Sequence, residues 1–320
     1  MTTQPLIRVL LIVFSTLFVL TACSRTQIYD TAISFERSSA DLTPGELQVN
    51  NMTISYLRNE PKPDAETLVM IHGFAANKDN WLRMAGHLTD DFNILIFDLP
   101  GHGESSKDFD LGYTFEDQVG HVNAILAELD TGEVHMIGNS MGGAITALYA
   151  ATYPDQVRTA VLFDPAGVFE YDSELVGLVK QGENPLIVEE EGDFERLIDF
   201  ALEKKPFVPW PIYSVMEEKA IANRSINEHI FLAIRDSGFQ PEFRNALEKI
   251  TAPVLVIWGR EDRVIHYRNA EIFQDRIPHA DVVLLDNVGH APMVEIPERS
   301  ARMVRDFIAT TDPQSVSVQP

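Results

Sequence analysis

A single cysteine, Cys23, is all the thiol chemistry in this 320-residue chain. One cysteine closes no intrachain disulfide and builds no cysteine-based metal cluster. Positive charge is also scarce: 25 lysines and arginines stand against 48 aspartates and glutamates, a formal net charge of −23. Phosphate backbones need a basic surface, so nucleic acid is excluded as a partner, and so is electrostatic attraction to anionic lipid head groups. An acid excess of this size serves solubility first. No internal repeat is visible. The longest apolar run, residues 9–20, has 12 residues where a membrane-spanning helix needs about 20. The remaining composition is ordinary for a globular protein, 45 % hydrophobic and 23 % charged, in a length that suits one large α/β domain or two small ones.

The apolar run follows Arg8 and ends in Leu20-Thr21-Ala22-Cys23. A short apolar core closed by small residues reads as a secretory signal. Leu-Thr-Ala-Cys resembles the lipobox of bacterial lipoproteins, which predicts a signal peptide over residues 1–22 and lipidation of Cys23. The chain would then be tied to a membrane of the bacterial cell envelope through an N-terminal lipid anchor. The competing reading is an uncleaved anchor helix over residues 6–22. Removing residues 1–22 takes away Arg8 and no acid, leaving the mature chain more acidic still. Residues 23–45 are polar and read as a tether.

The most informative stretch is Gly138-Asn139-Ser140-Met141-Gly142. An apolar run over 134–137 precedes it and a small-residue helical stretch follows. This is the strand–turn–helix context of a G-x-S-x-G nucleophile elbow. The tight turn pushes the Ser140 hydroxyl out at the top of a sheet, and Met141 N–H, opening the helix, points where an oxyanion would form. The plain alternative is a glycine-rich turn with an incidental serine.

Strand and helix patterns alternate around this stretch. Residues 47–49 and 52–57 read as leading antiparallel strands, with further strands at 68–71, 93–97 and 159–163. Helices are expected over 77–88, after Thr114, and from Met141. Such alternation implies a parallel sheet covered on both faces. It stops over residues 165–250, which read as acidic and helical, and resumes at 253–258 and 281–285 with a last helix near 297–308. The domain plan is therefore core (46–164), helical cap inserted after the sixth strand (165–250), core (251–310) and a loose tail (311–320). Within the cap, Phe207, Val208, Trp210, Ile212 and Tyr213 form an apolar, proline-stiffened segment. Either Phe207, Trp210 and Tyr213 meet the substrate at the cap's mouth, or the segment is the cap's own small core.

A serine hydroxyl needs a base, and the base needs an acid to orient it. Of nine histidines, His290 in Asn287-Val288-Gly289-His290-Ala291-Pro292 follows the last strand and can overhang the sheet edge. His72 and His102 sit in loops serving other strands. Asp262, in Gly259-Arg260-Glu261-Asp262, and Asp164 both follow strands and both satisfy the order serine, aspartate, histidine; Asp262 is preferred. Asp98 precedes the serine and fits that order poorly.

With His72-Gly73, Asp98-Leu99-Pro100-Gly101-His102-Gly103-Glu104-Ser105, the elbow, Gly259-Arg260-Glu261-Asp262 and Gly289-His290 in that order, the chain resembles the α/β-hydrolase superfamily over residues 47–310. More narrowly, His72-Gly73-Phe74-Ala75-Ala76-Asn77-Lys78-Asp79-Asn80-Trp81 with Gly-Asn-Ser-Met-Gly-Gly is similar to family V bacterial lipases and membrane-associated monoacylglycerol lipases. That resemblance implies the α/β-hydrolase fold and hydrolysis of lipid carboxylic esters, most simply acylglycerols. It implies Ser140 as nucleophile, His290 as base, Asp262 as acid, and Phe74 N–H beside Met141 N–H as oxyanion donors, with no metal or cofactor. His-Gly-Phe in place of His-Gly-Gly-Gly narrows the acyl side, which disfavours bulky tertiary-alcohol esters. The same elbow resembles that of meta-cleavage carbon–carbon bond hydrolases, whose anionic substrates would need a basic cluster that the cap lacks. A non-catalytic lipoprotein binding module would need no triad at all.

Overall fold

A computed structural model describes residues 24–238 and 240–311. The proposed signal peptide, Cys23 and residues 312–320 lie outside the described residues. Helix α1 (Arg25–Ser39) comes first, then the antiparallel pair β1 (Thr43–Val49) and β2 (Met52–Arg58). Strand β3 (Thr67–Ile71), the one-turn helix α2 (Leu82–Ala85), β4 (Asn93–Phe97), α3 (Phe115–Glu128), β5 (Val134–Asn139), α4 (Met141–Thr152) and β6 (Val157–Phe163) follow. Five helices then intervene: α5 (Glu174–Lys180), α6 (Asp193–Ala201), α7 (Ile212–Ala222), α8 (Arg224–Gly238) and α9 (Pro241–Leu247). The chain returns with β7 (Val254–Gly259), α10 (Ala270–Arg276), β8 (Ala280–Leu285), α11 (Pro292–Glu295) and α12 (Pro297–Thr311). Helix α12 therefore runs one residue into the stretch read as tail.

The eight strands form one sheet in the order β1-β2-β4-β3-β5-β6-β7-β8, parallel from β4 to β8. Crossing helices bury both faces, which is why β3 to β5 and β7 are apolar almost throughout. Val122, Ile125, Ala147 and Phe273 pack one face, while Trp81, Met84, Val304 and Ile308 pack the other. Thr114 caps α3 through a reciprocal bond pair with Asp117, and the helix buries Val119, Val122, Ile125 and Leu126 as the spacing requires.

Two expectations fail locally. Over its described residues, 24–45, the stretch read as a tether is structured: Ser24 and Gln27 form a capping box, and a 15-residue helix follows. It looks polar because only Tyr29 on it is buried; ion pairs hold the rest, with Arg37 bridging Asp79 at 2.7 and 2.8 Å and Arg25 bridging Glu218 on α7 at 2.9 Å. The helix expected over 77–88 is a 3₁₀ turn, Lys78–Trp81, running into α2. Its apolar residues Trp81, Met84, Ala85 and Leu88 are buried as expected.

Candidate active site

The elbow forms because two backbones must nearly touch. Residues of β5 are wholly buried between β3 and β6, and Ser140 leaves that strand at φ 56°, ψ −118°, a region that L residues seldom occupy. A Cβ on Gly138 would lie 2.0 Å from the Gly142 carbonyl oxygen, and one on Gly142 would lie 2.2 Å from the Ile71 oxygen. Only glycine closes this turn. Ser140 is locked in place by its N–H to the Phe163 carbonyl (2.9 Å) and by its own carbonyl, which accepts from Ala144 and Ala166 N–H (3.0 and 2.9 Å). Met141 begins α4, so its N–H has no carbonyl one turn earlier to bind.

His290 is brought to this elbow from both sides. Asn139 Nδ2 donates to the His290 carbonyl (2.9 Å), and His290 N–H donates to the Ala201 carbonyl at the end of α6 (2.8 Å). Its ring Nδ1 lies 2.8 Å from Asp262 Oδ2. A carboxylate only accepts, so the shared proton sits on Nδ1 and Nε2 keeps its lone pair. Asp262 is itself held by Trp258 Nε1 (3.0 Å) and by Val264 and Ile265 N–H (2.8 and 2.9 Å). Both residues are buried, at 8 % and 7 % exposure. Asp164 lies close by: one side-chain atom from each of Asp164, Asp262 and His290 falls within 4.8 Å of the other two. Burial, then the Asp262 charge, pushes the Asp164 carboxyl well above the ordinary carboxylate range. These are the described residues that could most nearly hold a cation, but the direct Asp262–His290 bond is the arrangement an acid–base relay requires.

The loop after β3 supplies the other wall. His72 is fully buried, and burial pushes it down to about 4. The neutral ring accepts from Leu99 N–H at Nε2 (3.0 Å) and donates from Nδ1 to the Gly73 carbonyl (2.7 Å). That carbonyl belongs to the same planar peptide as Phe74 N–H, so pinning one end aims the other. His102, also pushed down by burial, to about 3, packs edge-on against both His72 and Phe74. Both His72 ring nitrogens are thus committed to backbone groups, and His102 Nδ1 bonds the Pro100 carbonyl at 3.1 Å. Asp98 likewise acts on its own loop: it accepts from Lys78 Nζ, Lys78 N–H and Glu104 N–H, each at 2.7 Å.

A cavity of about 860 Å³ opens over Ser140 and His290, with Phe74 and Asn139 at its floor. Cap residues Leu186, Phe194, Ile198, Phe207, Tyr213 and Met216 line it, joined by Tyr29 from α1. The cap segment is thus not a closed core, since Phe207 is 85 % and Trp210 74 % exposed. Phe207 and Tyr213 line the cavity, whereas Trp210 stands outside its lining. Four contributors escaped the sequence reading: Asn139, Trp258, Tyr29 and Glu295, which accepts from Gly289, Glu203 and Lys204 N–H (2.9, 3.2 and 2.9 Å). Asn139 had a signal, its place beside the serine. Tyr29 had none while its segment read as a tether.

Known proteins resemble the chain in both sequence and shape. A crystal structure of a membrane phospholipase A, a bacterial virulence factor, matches with TM-score 0.88 and 35 % identity over 97 % of this chain and 99 % of its own. Lipase 3 of Moraxella sp. (strain TA144) is 33 % identical over 86 % of this chain and 87 % of its own. Monoacylglycerol lipase ABHD6 of Homo sapiens is 27 % identical over 76 % and 75 %. The family model for the alpha/beta hydrolase fold matches residues 66–297. That span runs from the strand before the loop at His72–Phe74, through the elbow and cap, to the helix after His290, and the chain belongs to the alpha/beta hydrolase fold family.

Proposed function

We propose that this carboxylic-ester hydrolase cleaves lipid esters, acylglycerols foremost, through an acyl-enzyme on Ser140. The observation that carries the reading is the 2.8 Å His290–Asp262 pair beside the elbow serine, at the floor of a cavity walled by apolar cap residues. His290 Nε2 takes the Ser140 proton as Oγ attacks the ester carbonyl. Met141 and Phe74 N–H receive the oxyanion, an effect worth about 3 kcal/mol per donor. Imidazolium, stabilised by Asp262, then protonates the leaving alcohol. Water enters by the same steps in reverse and frees the acid. Relatives named as lipases, monoacylglycerol lipase and phospholipase support the substrate class.

An anionic dienoate, the substrate type of a carbon–carbon bond hydrolase, would need a cation in the cavity. The lysines there are already engaged: Lys78 with Asp98 and Glu104, Lys205 with Asp199, and Lys219 over the Tyr29 ring at 4.0 Å. A binding-only module has no use for the relay. Purified enzyme assayed on p-nitrophenyl esters and on mono-, di- and triacylglycerols tests the reading; turnover of dienoates alone contradicts it.

Within this reading Phe207 and Tyr213 hold the acyl chain, and Trp210 meets the lipid surface beside the mouth. Phe207→Ala and Trp210→Ala are expected to leave the melting temperature nearly unchanged, because both side chains are exposed and such substitutions stay within about 0.5 kcal/mol. Phe207→Ala should lower turnover of long-chain monoacylglycerol several-fold while sparing an acetate ester. Trp210→Ala should do so only on vesicle-presented substrate. Equal losses on both esters would refute these roles.

Membrane association goes with a lipid substrate. Among the described residues no helix is long and apolar enough to cross a membrane, and we propose that Cys23 carries the anchor after removal of residues 1–22. Helix α1 starts at once after it and packs on α7, which would keep the cap near the membrane. Mass spectrometry of the mature N-terminus should find lipidated Cys23; an unmodified cysteine within an intact leader would refute it.

A further inference from the structure

We propose that Asp164 is a reserve acid for the His290 imidazole: it stands protonated behind the Asp262–His290 pair and takes over as orienting acceptor when Asp262 loses its charge. The inference rests on the catalytic roles proposed above. Its basis is an asymmetry between two neighbouring carboxyls. Asp262 receives four donors, from Trp258, Val264, Ile265 and His290. Asp164 receives one, Gly259 N–H to Oδ1 at 2.8 Å, and its Oδ2 is buried with no hydrogen-bond partner among the described residues.

Two carboxyls this close and this buried do not both ionise. The one with four donors keeps the charge, and the one with an orphaned oxygen keeps a proton. The other ionisable groups facing the pair are His290 and Glu295, and the Glu295 charge opposes ionisation of Asp164 further. Asp164 is also held for the task. It follows β6 at φ 46°, with its N–H on the Ile257 carbonyl at 2.9 Å, so its carboxyl stays wedged between the elbow and β7.

In Asp262→Asn the neutral amide removes the neighbouring charge that, after burial, holds the proton on Asp164. The Asp164 O–H bond then breaks, its proton leaves to solvent, and the carboxylate accepts from the imidazole N–H. No other bond changes.

A double-mutant cycle on a soluble p-nitrophenyl ester reads this directly. Asp164→Asn alone should lower kcat about threefold. Asp262→Asn should lower it about 10²–10³-fold, less than the roughly 10⁴-fold seen where no second acid stands by. Combining the two should cost at least a further tenfold beyond Asp262→Asn. The kcat of Asp262→Asn should also rise with pH along a limb that the double variant lacks, a signature no purely structural role produces. Equal factors for Asp164→Asn in both backgrounds would overturn the proposal, as would loss of all activity in Asp164→Asn alone. Thermal melting confirms folding of each variant, and Asp164→Ser repeats the comparison should the asparagine form not fold. Labelling of Ser140 by a fluorophosphonate stays intact if only the reserve acid is wrong, and fails if the serine reading is wrong.

Discussion

Replacing Ser140 by alanine is expected to lower ester hydrolysis by roughly 10⁴-fold or more, with the melting temperature almost unmoved. The serine's structural work is done by its backbone, whose N–H and carbonyl bond Phe163, Ala144 and Ala166; alanine keeps all three. The hydroxyl opens into the cavity instead of the core, so its removal leaves no void. What disappears is the atom proposed to attack the carbonyl, and none of the remaining donors and bases can replace it. Steady-state kinetics on a p-nitrophenyl ester, beside a thermal melt, separates the two effects. Substantial activity in a folded alanine variant would refute the assignment.

A second large effect is expected from one methyl group. In Gly142→Ala the new Cβ would meet the Ile71 and His72 carbonyl oxygens at 2.2 and 2.5 Å. Both are backbone atoms at the end of β3, so no rotamer change relieves the clash. The start of α4 must move away from the loop after β3, at about 3 kcal/mol or more. At 2–4 °C per kcal/mol for a chain of this size, the melting temperature should fall by roughly 6–12 °C. Activity should fall further than stability does, by about 10², because Met141 N–H shifts relative to Phe74 N–H. Gly120→Ala is the control: a Cβ there meets nothing within 4 Å, and helix α3 should gain up to about 1 kcal/mol. Matching falls in both variants would mean that glycine loss in general, and not this contact, is responsible.

The centre of the sheet was legible because strands β3 to β7 are buried on both faces and most read as short apolar runs. The proposed site is legible where its chemistry would need a fixed residue at a strand end, as at Ser140, Asp262 and His290. Choosing Asp262 over Asp164 was harder, since both follow strands and both reach the same cluster. What separates them is donor count, set by the Val264 and Ile265 amides and the Trp258 indole, which no motif displays. Helix α1 hid behind a polar face because ion pairs and one buried tyrosine dock it, not an apolar stripe. Trp210 was placed at the cavity on composition alone, but exposure on a cap loop does not say which way a ring turns.

The acyl-enzyme on Ser140 is tested most directly by trapping it. Purified protein is mixed with a long-chain p-nitrophenyl ester, quenched in acid within the first turnover and digested for mass spectrometry. The expected result is the mass of the acyl group on the peptide carrying Ser140, absent from Ser140→Ala. An acyl adduct on any other residue, or turnover with no adduct on Ser140 at any quench time, would contradict the proposed mechanism.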